Sequence, residues 1–256
     1  MSLFPMLQSA FTRRPGTDID AALAAQMRWY AAHAFNSSGY LYNRWDMMDS
    51  EQDPVGNPKD SSTMFGCIMD QVPHYILAHY YQVANSGDLA FLREQMSSID
   101  AAAGFLLHSM QMQEEGVPIV SCTSGLGKKL GGGRPANWLD TVAFGHHDGL
   151  VASLAVQAFG AIAEMKSIIG DVAGAAEAQG HFKRGVAAYS RVYWSDLHGA
   201  FSDWVDSQGR RRDYFYTWHN LIAVNAGIAN ASQAASILRV LGDERKRLAS
   251  AFNITA

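Results

Sequence analysis

The chain has 256 residues, 48% of them hydrophobic and 17% charged, a balance that fits one globular domain with a sizeable core and excludes a disordered segment. The formal net charge is −4, and the basic runs Arg210-Arg211-Arg212 and Lys246-Arg247 read as solvated corners, so a nucleic-acid surface is not expected. Cys67 and Cys122 are the only cysteines; their contexts and spacing suit neither a metal site nor a disulfide framework, and free thiols in a reducing compartment are expected.

Met1 to Arg14 lacks the apolar core and small-residue cleavage site of a secretory leader, and no stretch reads as long enough to cross a bilayer, so a cytoplasmic protein without a membrane partner is expected. After Pro15-Gly16, Thr17 or Asp18 caps a helix running to about Phe35, with Ile19, Leu23, Met27 and Tyr30 on one face. Residues 36 to 62 form a polar loop, long for a connector, that holds Arg44, Trp45 and Asp46. From about Ser62 to Asn85 the apolar pattern returns, and Pro73 either kinks that helix or marks its first turn.

Gly87-Asp88 then makes a corner, since Gly takes the left-handed conformation that closes one helix and Asp caps the next. The same pair recurs at Gly170-Asp171 and Gly242-Asp243, at intervals of about 83 and about 72 residues, which suits long helical hairpins better than short solenoid repeats. Leu92, Met96, Ile99, Ala103, Leu106 and Met110 follow a helical period after the first corner. Gln111 to Phe144 is the longest irregular stretch, with a strand-like Val117 to Val120 and then Asn137-Trp138-Leu139-Asp140. Within it, Gly125-Leu126-Gly127-Lys128-Lys129 imitates a phosphate loop but fails the pattern: Cys122 stands where Gly is needed and Lys129 where Ser or Thr is needed. A flexible loop over the site is the better reading.

Leu154, Ala158, Ala161, Met165 and Ile168 mark a long helix up to the second corner. Ala175, Ala178, Phe182, Val186, Tyr189 and Tyr193 mark another, which Trp194-Ser195-Asp196 breaks. Leu197 to Asp213 is irregular, with a small hairpin expected from Val205 through the Ser207-Gln208-Gly209 turn. A last helical pattern runs from about Tyr214 through Ile222, Ile228 and Ile237 to Leu241. The expected architecture is all-α, a single domain over residues 1 to 256 built as an (α/α)6 toroid of hairpins. Roughly seven or eight helices are counted where a closed double ring has twelve, so the ring is expected to be partial, completed by further sequence or by a second copy.

Tyr80 through Asp88, Asn137-Trp138-Leu139-Asp140, and Ala161-Ile162-Ala163 leading to Gly170-Asp171 together resemble the six-hairpin glycosidases, the (α/α)6-barrel glycoside hydrolases. The likeness spans about residues 60 to 243, and within the group it looks nearest to the glucosidase domain of glycogen-debranching enzymes and to the trehalase and α-glucosidase branches. It implies a glycoside hydrolase acting on α-glucosidic or related bonds, inverting, with no cofactor and a carbohydrate as its partner. A Trp-x-Asp loop supplies the general acid in those branches, which makes Asp140 the acid here. Acetal cleavage needs a protonated carboxyl at the leaving oxygen and a second carboxylate for water, with aromatic faces for the sugar. Trp138, Trp45, Arg44 and Asp46 suit sugar faces and hydroxyls, and His146 and Trp218 are further candidates for the sugar cavity.

Each of these residues has a plainer reading. Asp140 serves equally as the cap of a helix beginning near Thr141, and Trp138 as a core plug. Arg44, Trp45 and Asp46 serve as a loop ion pair beside a buried indole, while Trp218, His219 and Asn220 open a helix in an aromatic cluster that reads as core. His146, His147 and Asp148 are too close in sequence to converge on a metal, and a helix cap is preferred for Asp148. The second carboxylate has no motif; Asp203 and Asp206, beside Trp204, are possible only by proximity. Two rival functions stay open: a sugar 2-epimerase using His146, His147 and His219 for proton transfer, and a non-catalytic carbohydrate-binding fragment.

Overall fold

The computed structural model describes residues 19–35, 39–41, 67–126, 136–139, 142 and 144–251. Eight α-helices account for most of them: α1 (Ile19–His33), α2 (Gln71–Ser86), α3 (Leu89–Gly104), the short α4 (Met112–Glu115), α5 (Gly149–Ile169), α6 (Val172–Tyr193), α7 (Thr217–Asn225) and α8 (Ala231–Ala251). The architecture is an all-α toroid of helical hairpins, and β-structure among the described residues consists of dipeptide strands and an isolated bridge between Phe35 and Leu41.

Two of the three Gly-Asp pairs form corners. Gly87 sits at φ +71° and its N–H returns to Val83 O, while Asp88 accepts from Phe91 N to start α3. Gly170, at φ +89°, closes α5, and Asp171 accepts from Gly174 N to start α6. The third pair does not turn, because Gly242 and Asp243 lie inside α8. Glu244, Arg245, Lys246, Arg247 and Leu248 follow them, all good helix formers, and their summed propensity outweighs one Gly. The real break in the last helical pattern lies earlier, between α7 and α8, where Gly227 is at φ +67° and the Asn230 side chain accepts from Gln233 N.

α5 is the axis of packing, touching α2, α3, α6 and α7. It is long and apolar enough to cross a bilayer by length and composition, contrary to the sequence expectation, and it is mostly buried within the fold. α2 is likewise buried over its whole first half, whereas α3 and α6 bury a stripe and expose the opposite face. Inner helices are therefore buried on most of their circumference, α2 with the polar Gln71, His74, His79 and Gln82 among its buried residues, while outer ones are buried along one stripe. α1 lays Leu23, Ala24, Met27 and Tyr30 against α2 and α3. Pro73 falls in the first turn of α2, where a missing N–H leaves no helical bond unmade. α3 passes into a π-helical turn at Phe105–Ser109.

Five short strands stitch the loops. β1 (His147–Asp148), β4 (Trp204–Val205) and β5 (Arg211–Arg212) form an antiparallel sheet in the order β1-β4-β5, with His147 opposite Val205 and Trp204 opposite Arg212. β2 (Trp194–Ser195) pairs with β3 (Ala200–Phe201). The hairpin expected around Ser207-Gln208-Gly209 is thus β4 and β5. Val117 to Val120 is not a strand; Ile119 N and Val120 N donate to Met110 O and His146 O instead.

The cysteines are not free thiols. Cys67 and Cys122 form a disulfide across 55 residues of sequence, with their Cα atoms 5.7 Å apart. The sequence argument for a reducing compartment loses its premise with that bond.

Candidate functional site

The loops before α2 and before α5 meet at one end of the barrel. Met69 N donates to Ala136 O at 2.8 Å, and at the next residue of the α2 loop the contact is a side chain: Trp138 N donates to Asp70 Oδ2 at 3.2 Å. Asn137, between these two bonds, donates from Nδ2 to Asp148 Oδ2 at 2.7 Å and accepts at Oδ1 from Leu139 N at 2.8 Å. Asp148 in turn caps α5 by accepting from Leu150 N and Val151 N. Residues 136 to 139 are therefore tied to the first turns of both inner helices. Trp138 emerges from this frame 36% exposed, although Ala136 and Asn137 are fully buried.

Two further segments complete the surroundings. The 117–126 stretch is bound to the loop before α2 by the Cys67–Cys122 disulfide and to the residue preceding β1 through Val120 N and His146 O. It also receives the Trp204 indole N–H at Gly125 O, 2.9 Å. Trp204 stacks on Tyr214 and touches Phe144, so it packs the wall and is itself buried.

Several carboxyls lie buried along this framework. Burial pushes the Asp148 carboxyl up to about 7; its cap bonds and the Asn137 amide oppose the shift, and Asp203 adds to it. Asp70, 1% exposed, is raised well above the carboxylate range by burial, partly offset by the Trp138 N–H and reinforced by Asp148. His74, with Nδ1 4.0 Å from Asp70 Oδ2, is lowered to about 4 by burial, so at neutral pH it is not the cation of an ion pair with Asp70. Asp203 is raised to about 6 by burial, against the backbone N–H groups of Tyr216, Tyr214 and Phe215 that it accepts.

The expected site residues fall into separate groups. Asp140, Arg44, Trp45 and Asp46 lie outside the described residues. Trp138 and His146 are brought to the same end, joined by the Asn137–Asp148 bond; His146 is half-buried, and burial lowers its pKa. Trp218, 49% exposed in the first turn of α7, reaches this framework only indirectly: Asp203 holds the backbone leading into α7, and its own O accepts from Gly149 N. His219 and Asn220 are core, as their plainer reading held, and both bond Phe201 O. Asp148 is the helix cap preferred from sequence.

Neither Asp203 nor Asp206 is an open carboxylate. Asp206 is fully buried and held by Arg210 at 3.1 Å and Arg212 at 2.8 Å. Burial pushes its carboxyl up, but the Arg210 N–H, the Arg212 guanidinium and further donors carry it below its ordinary value. Among the described residues no three or more His, Cys, Asp or Glu side chains converge as metal ligands. Asp70 is the residue the sequence did not mark. It precedes α2 as a cap residue would, yet makes no side-chain cap bond, and only the tertiary contact with Trp138 shows its use.

No protein-family pattern and no curated protein sequence matches this chain. Solved structures do. The GH63 mannosylglycerate hydrolase of Thermus thermophilus aligns with a TM-score of 0.61 and 13% identity over 89% of this chain and 67% of its own. A rhamnosidase from Klebsiella oxytoca, solved with rhamnose bound, gives 0.60 and 12% over 86% and 37%. The GH78 rhamnosidase of Bacillus sp. GL1 gives 0.56 and 18% over 68% and 17%. The fold is that of the helical-barrel glycoside hydrolases. The chain spans a minor part of both rhamnosidases and about two thirds of the hydrolase. At these identities the likeness concerns the α/α barrel itself, and the chemistry must be argued from the residues.

Proposed function

We propose that this chain is a glycoside hydrolase acting on α-glucosidic or related bonds, with Asp140 as the general acid and Trp138 as a stacking face for the sugar. The observation that carries this reading is the placement of Trp138: a partly exposed indole, two residues before Asp140, on a backbone tied to both inner helices of a glycosidase-type barrel. A protonated carboxyl two residues beyond a fixed aromatic suits protonation of a glycosidic oxygen, and the barrel loops supply the remaining sugar contacts. Inversion and the identity of the carboxylate that activates water belong to the same proposal; among the described residues no carboxylate is assigned that second role.

The test is release of reducing sugar from a panel of p-nitrophenyl α-glucoside, p-nitrophenyl α-rhamnoside, trehalose, maltooligosaccharides and mannosylglycerate, with the product anomer followed by NMR. Turnover of one panel member, lost by roughly a thousandfold or more in Asp140→Asn while binding persists, is the expected result. Interconversion of free sugars without bond cleavage would replace this reading by the epimerase. Saturable binding of a panel sugar with no turnover in the parent chain would replace it by the binding fragment.

A further inference from the structure

We infer that Asp70 is a positioning residue, holding the Ala136 to Leu139 backbone in the one arrangement that presents Trp138 and leads into Asp140; its catalytic consequence rests on the glycosidase reading above. Four hydrogen bonds fix this short segment: Met69 N to Ala136 O, Trp138 N to Asp70 Oδ2, Asn137 Nδ2 to Asp148 Oδ2, and Leu139 N to Asn137 Oδ1. The Asp70 bond is the only side-chain contact among them that crosses from the α2 hairpin, and with the Met69–Ala136 backbone bond it sets how far the loop stands from that inner helix.

Asp70 makes no cap bond to its own helix that would explain its burial. It has helical backbone angles, φ −69° and ψ −13°, and its side chain caps no N–H of α2. Its carboxyl is fully enclosed, and Oδ1 has no hydrogen-bond partner among the described residues. A buried acid so placed costs stability unless its remaining bond has another use. The groups facing it are Asp148, buried on the α5 side, and His74, one helical turn along α2. Neither is a compensating cation; the Trp138 amide and Asp70's own backbone N–H are the groups that favour its carboxylate, and of the two only the Trp138 amide belongs to another segment. Asn matches the carboxyl in shape and keeps an acceptor oxygen, and burial pushes the Asp70 carboxyl up, toward the uncharged form that Asn imitates.

The experiment compares Asp70→Asn, which keeps an oxygen for the Trp138 amide, with Asp70→Leu, which keeps the volume and removes the acceptor. Two readouts are taken on each: hydrogen exchange of the peptide covering residues 136 to 139, and kcat and KM on whichever panel substrate the parent turns over. In Asp70→Leu the segment should lose protection while the peptides of α2 and α5 keep theirs, and kcat should drop roughly 10- to 100-fold with KM within about threefold. Asp70→Asn should restore both to near the parent. Equal protection of the segment in all three proteins would overturn the positioning role, as would loss of activity in the Asn variant to the level of the Leu variant, since that marks proton transfer rather than placement. If Asp70→Leu fails to fold, Asp70→Asn together with Asp70→Ser decides by the same two readouts. A parent that cleaves nothing on the panel sinks the glycosidase reading alone, and the exchange measurement still decides the clamp.

Discussion

Asn137 and Asp148 are joined by a 2.7 Å hydrogen bond in which neither partner is exposed, so the loop leading to Asp140 is fastened to the residue that caps the central helix. Asn137→Leu removes the donor and leaves Asp148 Oδ2 buried without it. The variant should lose about 1 to 3 kcal/mol in urea-induced unfolding, and sugar turnover should fall with it at temperatures where the fold survives. A loss under about 0.5 kcal/mol would show that the bond contributes nothing beyond its solvent-exposed alternatives.

The Gly-Asp pairs make opposite predictions from one sequence motif. A Cβ at Gly170 or at Gly242 would meet nothing within 4 Å, so conformation alone decides the outcome. Gly170 is left-handed at φ +89°, and Gly170→Ala should cost about 1 kcal/mol. Gly242 is inside α8, and Gly242→Ala should instead stabilise by about 0.5 to 1 kcal/mol. Thermal melts of the two variants beside the parent check the signs; a matched loss in both would mean that the third pair is a corner after all.

That contrast shows what the sequence could carry. Corners at Gly87-Asp88 and Gly170-Asp171, the capping of α5 by Asp148 and the β4–β5 hairpin were legible because each is decided within a few residues. The corner at Gly242 failed because the helix formers after it decide the local state, and the break before α8 was missed because Ile228 keeps the apolar period across Gly227. Asp70 left no signal, and Asn137 was marked only as part of the Asn137-Trp138-Leu139-Asp140 motif without its partner, since the partners lie 68 and 11 residues away and the segments meet only when the α2 and α5 hairpins pack. The cysteines failed for the same reason: a pair 55 residues apart has no local spacing to read.

The Cys67–Cys122 bond links the loop three residues before Asp70 to the wall segment around Val120. Closing a loop of that length restricts the unfolded chain, so reduction, or the double change of Cys67 and Cys122 to Ser, should lower stability by about 2 to 4 kcal/mol. Melting with and without reductant measures it, and the double Ser variant should melt at one temperature in both conditions. Identical melting of the parent with and without reductant, with thiol titration confirming that the bond has opened, would remove it from the account of stability.

Asp148 should leave a signature in the pH dependence of stability. Its folded pKa, about 7, lies above the ordinary carboxylate value, so the folded protein holds this proton over a range where the unfolded chain has released it. The contribution is fully present below about pH 4 and is lost as pH rises to about 7, with a slope of at most about 1.4 kcal/mol per pH unit. His74, His79 and His219 act in the opposite sense, because burial lowers each to about 4 and their neutral forms favour the fold as pH rises toward 6.5. The parent curve therefore mixes both trends, and the difference between parent and Asp148→Asn isolates the carboxyl. The variant keeps an oxygen for the α5 cap but sets its amide against that of Asn137, so it should be less stable than the parent at pH 4. The gap should narrow steadily up to about pH 7 and stay level above it. A gap that is constant from pH 4 to 7 would mean that the Asp148 carboxyl titrates in its ordinary range despite its burial.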